Sequence, residues 1–479
     1  MRARRFILAG LLVATAFASC EAATKILFSF DTEDYTCDRS NDAIRDIANL
    51  LGSEGVRGNF NIVGFLATRL VELGRTDVIE ALKGHVIGSQ TLYHSRHPNV
   101  AELGDDPSYE RAYRLTMADE AKALGMLEAA FGENRCVFWC PPGNSVSAVA
   151  MDVYSDMGIV FSGGCGMTDD ASSALYADML VRTGRQVGGL WYFNQYHVPY
   201  SLDFHLEWML PKEGRPCPDF KSALDRLARY DILCVYMHPD MAVKTQHWDG
   251  ANYRKGNLVE WRKWKVAEDR SAADTAVFYE RLRAFIRAMK QDGRFEITDF
   301  EALKQSLKPR REIVPADIPG IRAALQRKFG DIREPASWSV ADVFQAAVKF
   351  LRGESRHLPG KAYGFLSRPQ GVAAPTEVSA DELRQAAKGI DLSTFLPPML
   401  TVGDKRIGPA DFLIAALEVL ETGATRVTLL PREQLGSFKE CPGLEKMHLA
   451  GKWIHPASFK DNYLSERLRL QLWTLRIDP

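Results

Sequence analysis

Residues 26–35 join an apolar, β-rich run to three carboxylates within four positions, Asp31, Glu33 and Asp34. A charge at the end of a buried strand must be solvated, paired or bound to a cation, because burying it alone is costly. The segment therefore predicts a strand whose carboxyl end opens onto a polar site. Taken alone, the carboxylates also suit the start of a following helix, where negative charge is favourable, and that alternative stays open.

From residue 24 to about 308, β-rich runs alternate with helix-period segments, which predicts a parallel sheet that is either doubly wound or closed into a barrel. The predicted strands are Ile26–Phe30, Phe60–Val63, His85–Gly88, Val137–Trp139, Ile159–Ser162, Leu190–Phe193, Ile232–Met237 and Phe295–Thr298. The predicted helices include Asn41–Leu51, Tyr109–Phe131, Asp219–Tyr230 and Ser271–Met289. In such folds the chemistry lies at the carboxyl ends of the strands, and Asp31, His94 and His238 each follow an apolar run.

A second polar segment, residues 84–98, contains Gln90, His94 and His97 shortly after a predicted strand. Imidazoles and carboxylates that arrive from separate strand ends are what a divalent-metal hydrolase requires. We therefore expect a metal site, with zinc as the expected cation.

Together the two segments resemble the polysaccharide deacetylases, the NodB-like carbohydrate esterases. That family places an acidic cluster after its first strand and a Gly-His-x-Ile-Gly-x-His-Ser/Thr-x-x-His run further on, which residues 84–94 match except at one position. The resemblance implies a mixed α/β fold, a distorted (β/α) barrel over residues 24–308. It also implies that Asp31 is the general base and that Glu33 or Asp34 is a metal ligand.

Two residues depart from the family pattern. Gln90 stands where the family has its first metal-binding histidine, and an amide oxygen is a weaker zinc ligand than imidazole. His94 holds the second histidine position, and His97, three residues later, is a candidate substitute ligand. Cys140 stands where the family has the arginine that orients the base. The metal site is therefore expected to be either rebuilt or lost.

The last motif of the family is matched by Ile232–Asp240, where a leucine-containing strand ends in His238. The resemblance implies that His238 is the general acid, and an unperturbed imidazole has a suitable pKa, near 6.5. Aromatic residues are frequent nearby, and exposed rings stack on sugar faces. We expect Tyr196 and Trp248 to contact substrate, with packing in the core as the alternative.

The amino-terminal residues 1–23 are predicted to be a signal peptide, because a basic start precedes an apolar stretch and an Ala-x-Ala site at residues 16–18. Secretion to the periplasm or cell envelope follows from this, with lipoprotein anchoring through Cys20 as an alternative and no transmembrane segment after cleavage. The chain of 479 residues has 60 basic and 61 acidic side chains, so no global field favours nucleic acid as a partner.

Beyond the predicted barrel, residues 309–335 are charged and rich in proline, which predicts a linker with one short helix. Residues 336–479 are expected to form a smaller, mainly helical domain. It contains a weak repeat, in which residues 341–347 are echoed by residues 380–387, and each copy is followed by Leu-Pro. The repeat resembles pseudomurein-binding cell-wall modules, and a helical accessory domain without its own ligand is the alternative.

The resulting functional hypothesis is a metal-dependent hydrolase that removes N- or O-linked acetyl groups from an extracellular polysaccharide or cell-wall glycan. A carbohydrate-binding pseudoenzyme is the alternative from another class, because Gln90 and Cys140 replace family residues. A glycoside hydrolase with paired carboxylates stays open as a third hypothesis, and it requires a second acid on another strand.

Overall fold

The structure is a computed structural model. It describes residues 23–163, 189–201, 204–210, 217–253, 259–327, 329, 332, 336–435, 454–455 and 458–476. The predicted signal peptide, including Cys20, lies outside these residues apart from its last position. Within the described ranges, no helix combines the length and the hydropathy needed to cross a lipid bilayer.

Nine strands of the described residues form one sheet in the first part of the chain. Its strands are β1 (Thr24–Thr32), β2 (Asn59–Ile62), β3 (Val86–Ser89), β4 (Cys136–Trp139), β5 (Phe161–Gly163), β6 (Leu190–Tyr192), β7 (Gln195–Val198), β8 (Ile232–Met237) and β9 (Phe295–Thr298). The order is β6-β7-β5-β4-β3-β2-β1-β8, and β9 pairs with the beginning of β1. The pair β6–β7 is antiparallel and the other pairs are parallel, as a chain of βα units requires. The predicted mixed α/β fold is confirmed.

Strand β1 shows how the sequence pattern places the site. Ile26, Phe28 and Phe30 lie in the core between the sheet and its helices, whereas Leu27 lies in the core on the other face. Side chains alternate between the faces of a strand, so Asp31 continues the row of Leu27 at the carboxyl end. The alternation therefore places this carboxylate on the inner face.

The two ends of the curved sheet approach each other beyond β7. Cys234 of β8 donates its N–H to the Pro199 carbonyl at 2.8 Å, and its own carbonyl accepts from the Ser201 N–H at 2.8 Å. Tyr200 and Cys234 form one isolated parallel bridge, and no continuous ladder of described residues closes a ring. Closure into a barrel therefore stays a prediction.

Fifteen described helices accompany the strands. They are α1 (Asp38–Ser53), α2 (Gly64–Glu72), α3 (Thr76–Leu82), α4 (Val100–Gly104), α5 (Tyr109–Phe131), α6 (Ala148–Asp156), α7 (Phe220–Leu227), α8 (Gly250–Tyr253), α9 (Ala272–Gln291), α10 (Phe300–Ser306), α11 (Ile318–Arg327), α12 (Val340–Leu351), α13 (Ala380–Lys388), α14 (Pro409–Thr422) and α15 (Leu464–Leu470). The predicted helix over residues 109–131 has the same bounds in the structure, because Ser108 caps its first turn.

Strand β7 has no counterpart among the predicted strands. It follows β6 through a two-residue turn in which Phe193 and Asn194 both have positive φ, 44° and 62°. Asn is common at such positions, but a bulky Phe is not. Only one of the two turn residues is therefore of a type that predicts a hairpin.

A second hydrophobic core is built from residues 313–435 together with Leu470 and Trp473. It contains α11 to α14 and two small antiparallel sheets, β10 (Thr376–Ser379) with β13 (Arg426–Leu429) and β11 (Leu400–Val402) with β12 (Lys405–Ile407). Residues 313–327, which the sequence assigns to a linker, contribute buried side chains to this core because α11 is amphipathic.

The weak repeat corresponds to two helix starts. Ser339 and Ser379 each precede a helix, α12 and α13, and each accepts a backbone N–H in a capping box with Asp342 and Glu382, respectively. A capping box requires Ser or Thr with an acidic or amide residue three positions later. The same requirement at both helix starts therefore gives the two segments similar residues, which accounts for part of the weak repeat.

The buried carboxyl group of Glu120, in α5, makes the stability of the fold depend on pH. Glu120 accepts a hydrogen bond from the Tyr154 hydroxyl, and burial raises its pKa from 4.5 to about 8. Between these values the unfolded chain loses a proton that the folded chain retains, so stability falls as the pH rises through 8. Glu120→Gln should remove this loss, and its unfolding free energy relative to wild type should increase by on the order of 3 kcal/mol from pH 5 to pH 9.

The measurement is urea unfolding at both pH values, with Glu128→Gln, an exposed position on the same helix, as the matched control. A difference between Glu120→Gln and wild type that does not change with pH would contradict the prediction.

Candidate metal centre

The site forms where parallel strands end together. The register pairs Asp31 of β1 with Asn61 of β2, and Asn61 with Gly88 of β3. Gly88 is required here because a Cβ atom would lie 2.6 Å from the Phe138 ring. The chain segments after β3 and β8 carry Gln90 and His238 to the same edge.

Asp31 is 5% exposed and is held on one oxygen. Its Oδ1 accepts hydrogen bonds from the Asn61 Nδ2 at 2.5 Å and from the Tyr200 hydroxyl at 2.6 Å. Burial raises the pKa of Asp31, while His238 and the Tyr200 hydroxyl lower it, and the result is about 6. Cys140 lies 3.2 Å from the Tyr200 hydroxyl, so Tyr200 stands between the cysteine and the carboxylate.

Glu33 is the hub of the site. Its Oε1 lies 3.1 Å from the His94 Nε2 and accepts from the Gln90 Nε2 at 3.1 Å. Its Oε2 accepts from the Trp248 indole N–H at 2.9 Å. Burial raises the pKa of this carboxyl group, but His94 and the other imidazoles lower it more, so the net shift is downward.

The loop after β8 brings two further groups to the hub. Asp249 lies 3.4 Å from the His94 Nδ1 through one oxygen and 2.7 Å from the His247 Nδ1 through the other. The His247 Nε2 lies 3.7 Å from the second oxygen of Glu33. Burial lowers the pKa of His94, but Glu33 and Asp249 raise it more, to about 9. The His94 imidazole thus lies between the carboxylates of Glu33 and Asp249, and two negative charges this close together favour a cation between them.

His238 faces the carboxylates of Asp31 and Glu33. Its Nε2 lies 3.7 Å from the Asp31 Oδ2 and 3.8 Å from the Glu33 Oε1. Its Nδ1 lies 2.6 Å from the Glu207 Oε1, which fixes the ring. Burial and His247 lower the pKa of His238, but Glu207 raises it more, to about 9.

Two of the predicted ligands lie apart from the hub. Asp34 accepts from the Thr36 N–H at 2.8 Å and from the Ser40 hydroxyl at 2.5 Å, so it stabilises the start of α1. His97 lies 2.6 Å from the Glu102 Oε2 through its Nδ1. Neither residue belongs to the metal-ligand groups found among the described residues.

The two predicted substrate residues occupy different surroundings. Trp248 is 1% exposed, and a ring so deeply buried offers no face to a sugar in this conformation. Tyr196 is half-buried in β7, where its ring packs against Phe161 and Trp191. The structure thus gives Trp248 a hydrogen bond to the hub and gives Tyr196 a place in the sheet.

The donor set fits a divalent cation. Two groups have ligand atoms that all lie within 4.8 Å of one another, Glu33 with His94 and Asp249, and Glu33 with His238 and His247. Mixed imidazole and carboxylate donors are typical of catalytic zinc sites. The Gln90 Oε1 is buried and has no hydrogen-bond partner among the described residues, and the Gln90 Nε2 donates to Glu33.

Sequence reasoning did not single out several residues of the site. Tyr200, Glu207, His247 and Asp249 are absent from the predicted set, although His247 and Asp249 flank Trp248 in the sequence. The signal that could have found them is the His-Trp-Asp run itself, since imidazole and carboxylate are donors that zinc prefers in proteins.

No protein-family model and no curated protein matches the chain. The pseudomurein-binding resemblance therefore receives no support. Solved structures that are similar include a 4-alpha-glucanotransferase from Thermococcus litoralis, at 11% identity and a TM-score of 0.41, over 60% of this chain and 41% of that chain.

Two further similar structures are named for carbohydrate esterase family 4. A Streptococcus mutans CE4 esterase is 14% identical, with a TM-score of 0.32 over 57% of this chain and 86% of that chain. A CE4 family pseudoenzyme from Bacillus anthracis is 13% identical, with a TM-score of 0.32 over 59% of this chain and 66% of that chain. At such TM-scores neither a shared fold nor a shared activity follows, so the function must rest on the residues of the site.

The hub predicts the metal stoichiometry of variants. Glu33 belongs to both ligand groups, so Glu33→Gln should abolish zinc binding, whereas His97→Ala should leave it unchanged because His97 pairs with Glu102 elsewhere. Metal per chain is measured after dialysis by inductively coupled plasma mass spectrometry. Loss of zinc in His97→Ala would contradict this geometry.

Proposed function

We propose that this protein is a metal-dependent hydrolase that removes N- or O-linked acetyl groups from a polysaccharide. The observation that carries the proposal is the pairing of a buried carboxylate with an imidazole beside the hub. The Asp31 Oδ2 and the His238 Nε2 lie 3.7 Å apart, and the same Nε2 lies 3.8 Å from the Glu33 Oε1. A proton acceptor and a proton donor next to a cation site are the parts that acyl hydrolysis needs.

For the cation we favour the group formed by Glu33, His94 and Asp249, because it leaves His238 free to transfer protons. A bound divalent cation supplies Lewis acidity, which polarises an acyl carbonyl and makes water more acidic. In this arrangement Asp249 compensates for the histidine that Gln90 replaces. Zinc is the expected cation on the chemistry of the donors.

Asp31 is the proposed general base. The Tyr200 hydroxyl and the Asn61 amide hold its Oδ1, so its Oδ2 is directed towards His238. A base that is fixed by two donors on one oxygen presents the other oxygen to water in a defined direction. Tyr200 and Asn61 thereby do the orienting that the resemblance assigns to the arginine replaced by Cys140.

His238 is the proposed general acid. Glu207 accepts from its Nδ1 and from its backbone N–H, at 2.6 and 3.0 Å, so the ring is fixed and its Nε2 points to the site. Donation from this nitrogen to the leaving amine or alcohol completes hydrolysis and leaves the imidazole neutral.

A carbohydrate-binding pseudoenzyme is the second candidate, and one observation favours it. Gln90 donates an N–H to Glu33 at 3.1 Å, which uses one hub oxygen that a cation would otherwise need. Tight zinc binding together with acetate release supports the hydrolase, whereas glycan binding without either supports the pseudoenzyme.

The cellular setting forms part of the proposal. We propose that residues 1–23 are a signal peptide, that the protein acts in the periplasm or cell envelope, and that its partner is a glycan. The division into a catalytic unit over residues 24–308 and an accessory unit over residues 336–479 is proposed on the same footing, since each contains a hydrophobic core.

Removing the proposed base should separate chemistry from folding. Asp31→Asn keeps the size and the hydrogen-bonding oxygen, so the fold and bound zinc should persist while acetate release falls by about 10²- to 10⁴-fold. Asp34→Asn is the matched control, because Asp34 stabilises the start of α1 and should affect the melting temperature more than turnover. Undiminished turnover in Asp31→Asn would exclude it as the base.

The leaving group tests the proposed acid. His238→Ala should slow amide hydrolysis by at least about tenfold more than hydrolysis of an aryl ester, because a phenolate leaves without protonation. Equal losses on both substrates would assign His238 another role.

Zinc content of the same variant tests the choice of metal ligands. It should stay near one zinc per chain in His238→Ala if Glu33, His94 and Asp249 hold the metal, and Asp249→Asn should lower it.

A further inference from the structure

Arg96 occupies an unusual position two residues after His94. Its guanidinium lies 3.8 Å from the centroid of the Tyr93 ring and 4.8 Å from that of Trp261, with Phe65 at 5.8 Å. All four side chains are half-buried. Rings against a planar guanidinium fix its orientation by cation–π attraction and leave its N–H edges available in the plane.

The guanidinium of Arg96 makes no hydrogen bond or ion pair to any residue that the structure describes. The contrast with Arg262 is informative, because Arg262 also lies 4.8 Å from the Trp261 ring but pairs with Glu260 at 3.3 Å. A half-buried arginine is ordinarily paired with an acid or a carbonyl. Arg96 is therefore oriented like a binding group that has no acceptor among the residues that the structure describes.

A second cation lies near this guanidinium, and a series of aromatic contacts connects it to the hub. The Lys122 Nζ donates to the Tyr93 hydroxyl at 3.5 Å, so a second positive charge flanks the same ring. Tyr35 contacts both Trp261 and Trp248, with centroids 6.4 and 4.8 Å apart, and Trp248 donates to Glu33. One aromatic cluster thus joins the hub to the basic group.

We propose that Tyr93, Arg96 and Trp261 form a substrate subsite that binds an anionic group of the glycan, and that the natural substrate is an acidic polysaccharide bearing carboxylates. The inference rests on the proposed function for its link to deacetylation. Arg is suited to the role because its planar fork binds a carboxylate through two parallel hydrogen bonds, and rings beside it contact the sugar. The local positive charge contrasts with a net charge of −1 for the whole chain.

The test measures binding, so it does not depend on turnover. Titration calorimetry compares tetragalacturonate with neutral chitotetraose of the same length at low ionic strength, on the full-length protein. Wild type should bind the acidic chain at least about tenfold more tightly, and the preference should shrink as salt is added. A phosphorylated oligosaccharide, run in parallel, distinguishes a carboxylate subsite from a general oxyanion subsite.

Arg96→Gln should reduce the acidic preference to within about twofold while binding of chitotetraose and zinc content stay unchanged. Arg262→Gln is the matched control, because it removes a cation from the same indole ring and should preserve the preference. Arg96→Lys keeps the charge without the fork and should retain part of the preference, which covers the case in which Arg96→Gln fails to fold.

Wild type that binds both oligosaccharides equally, or Arg96→Gln that keeps the preference, would overturn the inference. Tighter binding of the phosphorylated chain than of tetragalacturonate would overturn the assignment to carboxylates. Failure of the proposed function has a different signature, namely no acetate release from any acetylated glycan while the acidic preference and its loss in Arg96→Gln persist.

Discussion

The burial of one carboxylate, Glu33, constrains the whole site. At 4% exposure its charge is costly unless donors surround it, and neither oxygen lacks a partner. Gln90 and His94 contact one oxygen and Trp248 the other, which ties the end of β1 to the segments after β3 and β8. Removing the negative charge of Glu33 would leave the N–H groups of Gln90, His94 and Trp248 without their shared acceptor. The hub is therefore both the centre of the proposed chemistry and the reason that three chain segments meet.

Sequence reasoning located the parts of the site that have a local signal. Asp31 and Glu33 follow an apolar run, and His238 directly follows β8, so strand periodicity alone brings them to one edge of the sheet. The predicted strands over residues 232–237 and 295–298 have the same bounds in the structure, because each is a β-rich run with breakers on both sides. Their catalytic roles remain proposals.

Other parts of the site have no local signal. Tyr200 reaches Asp31 across 169 positions, and Trp248 reaches Glu33 across 215. Tyr200 follows β7, which the sequence did not reveal because Phe193 adopts positive φ in the turn before it. Glu207 lies in a short 3-10 helix, where hydrophobic periodicity says nothing about which way a side chain points. Contacts of this kind depend on tertiary packing. Hydrophobic periodicity reports local structure only, so it does not predict them.

The last described segment makes the two cores interdependent. Asp105 accepts the backbone N–H groups of Tyr463 and Leu464 at 2.7 and 3.2 Å, so a carboxylate of the first unit, the proposed catalytic unit over residues 24–308, satisfies the start of α15. Arg476 and Trp191 exchange two backbone hydrogen bonds of 3.0 Å at the edge of the large sheet. Leu470 and Trp473, which lie between these contacts, are buried in the second core.

A truncation after residue 335 therefore removes more than the second core. It takes away the partner of the sheet edge at Trp191 and exposes apolar side chains of the first unit that pack on Leu468 and Leu472. Loss of glycan retention in such a truncated chain would have two physical causes that cannot be separated, a missing binding surface and a destabilised first unit. Substitutions on the surface of the proposed accessory unit, residues 336–479, keep α15 in place, so they are the informative test of whether that unit binds a glycan.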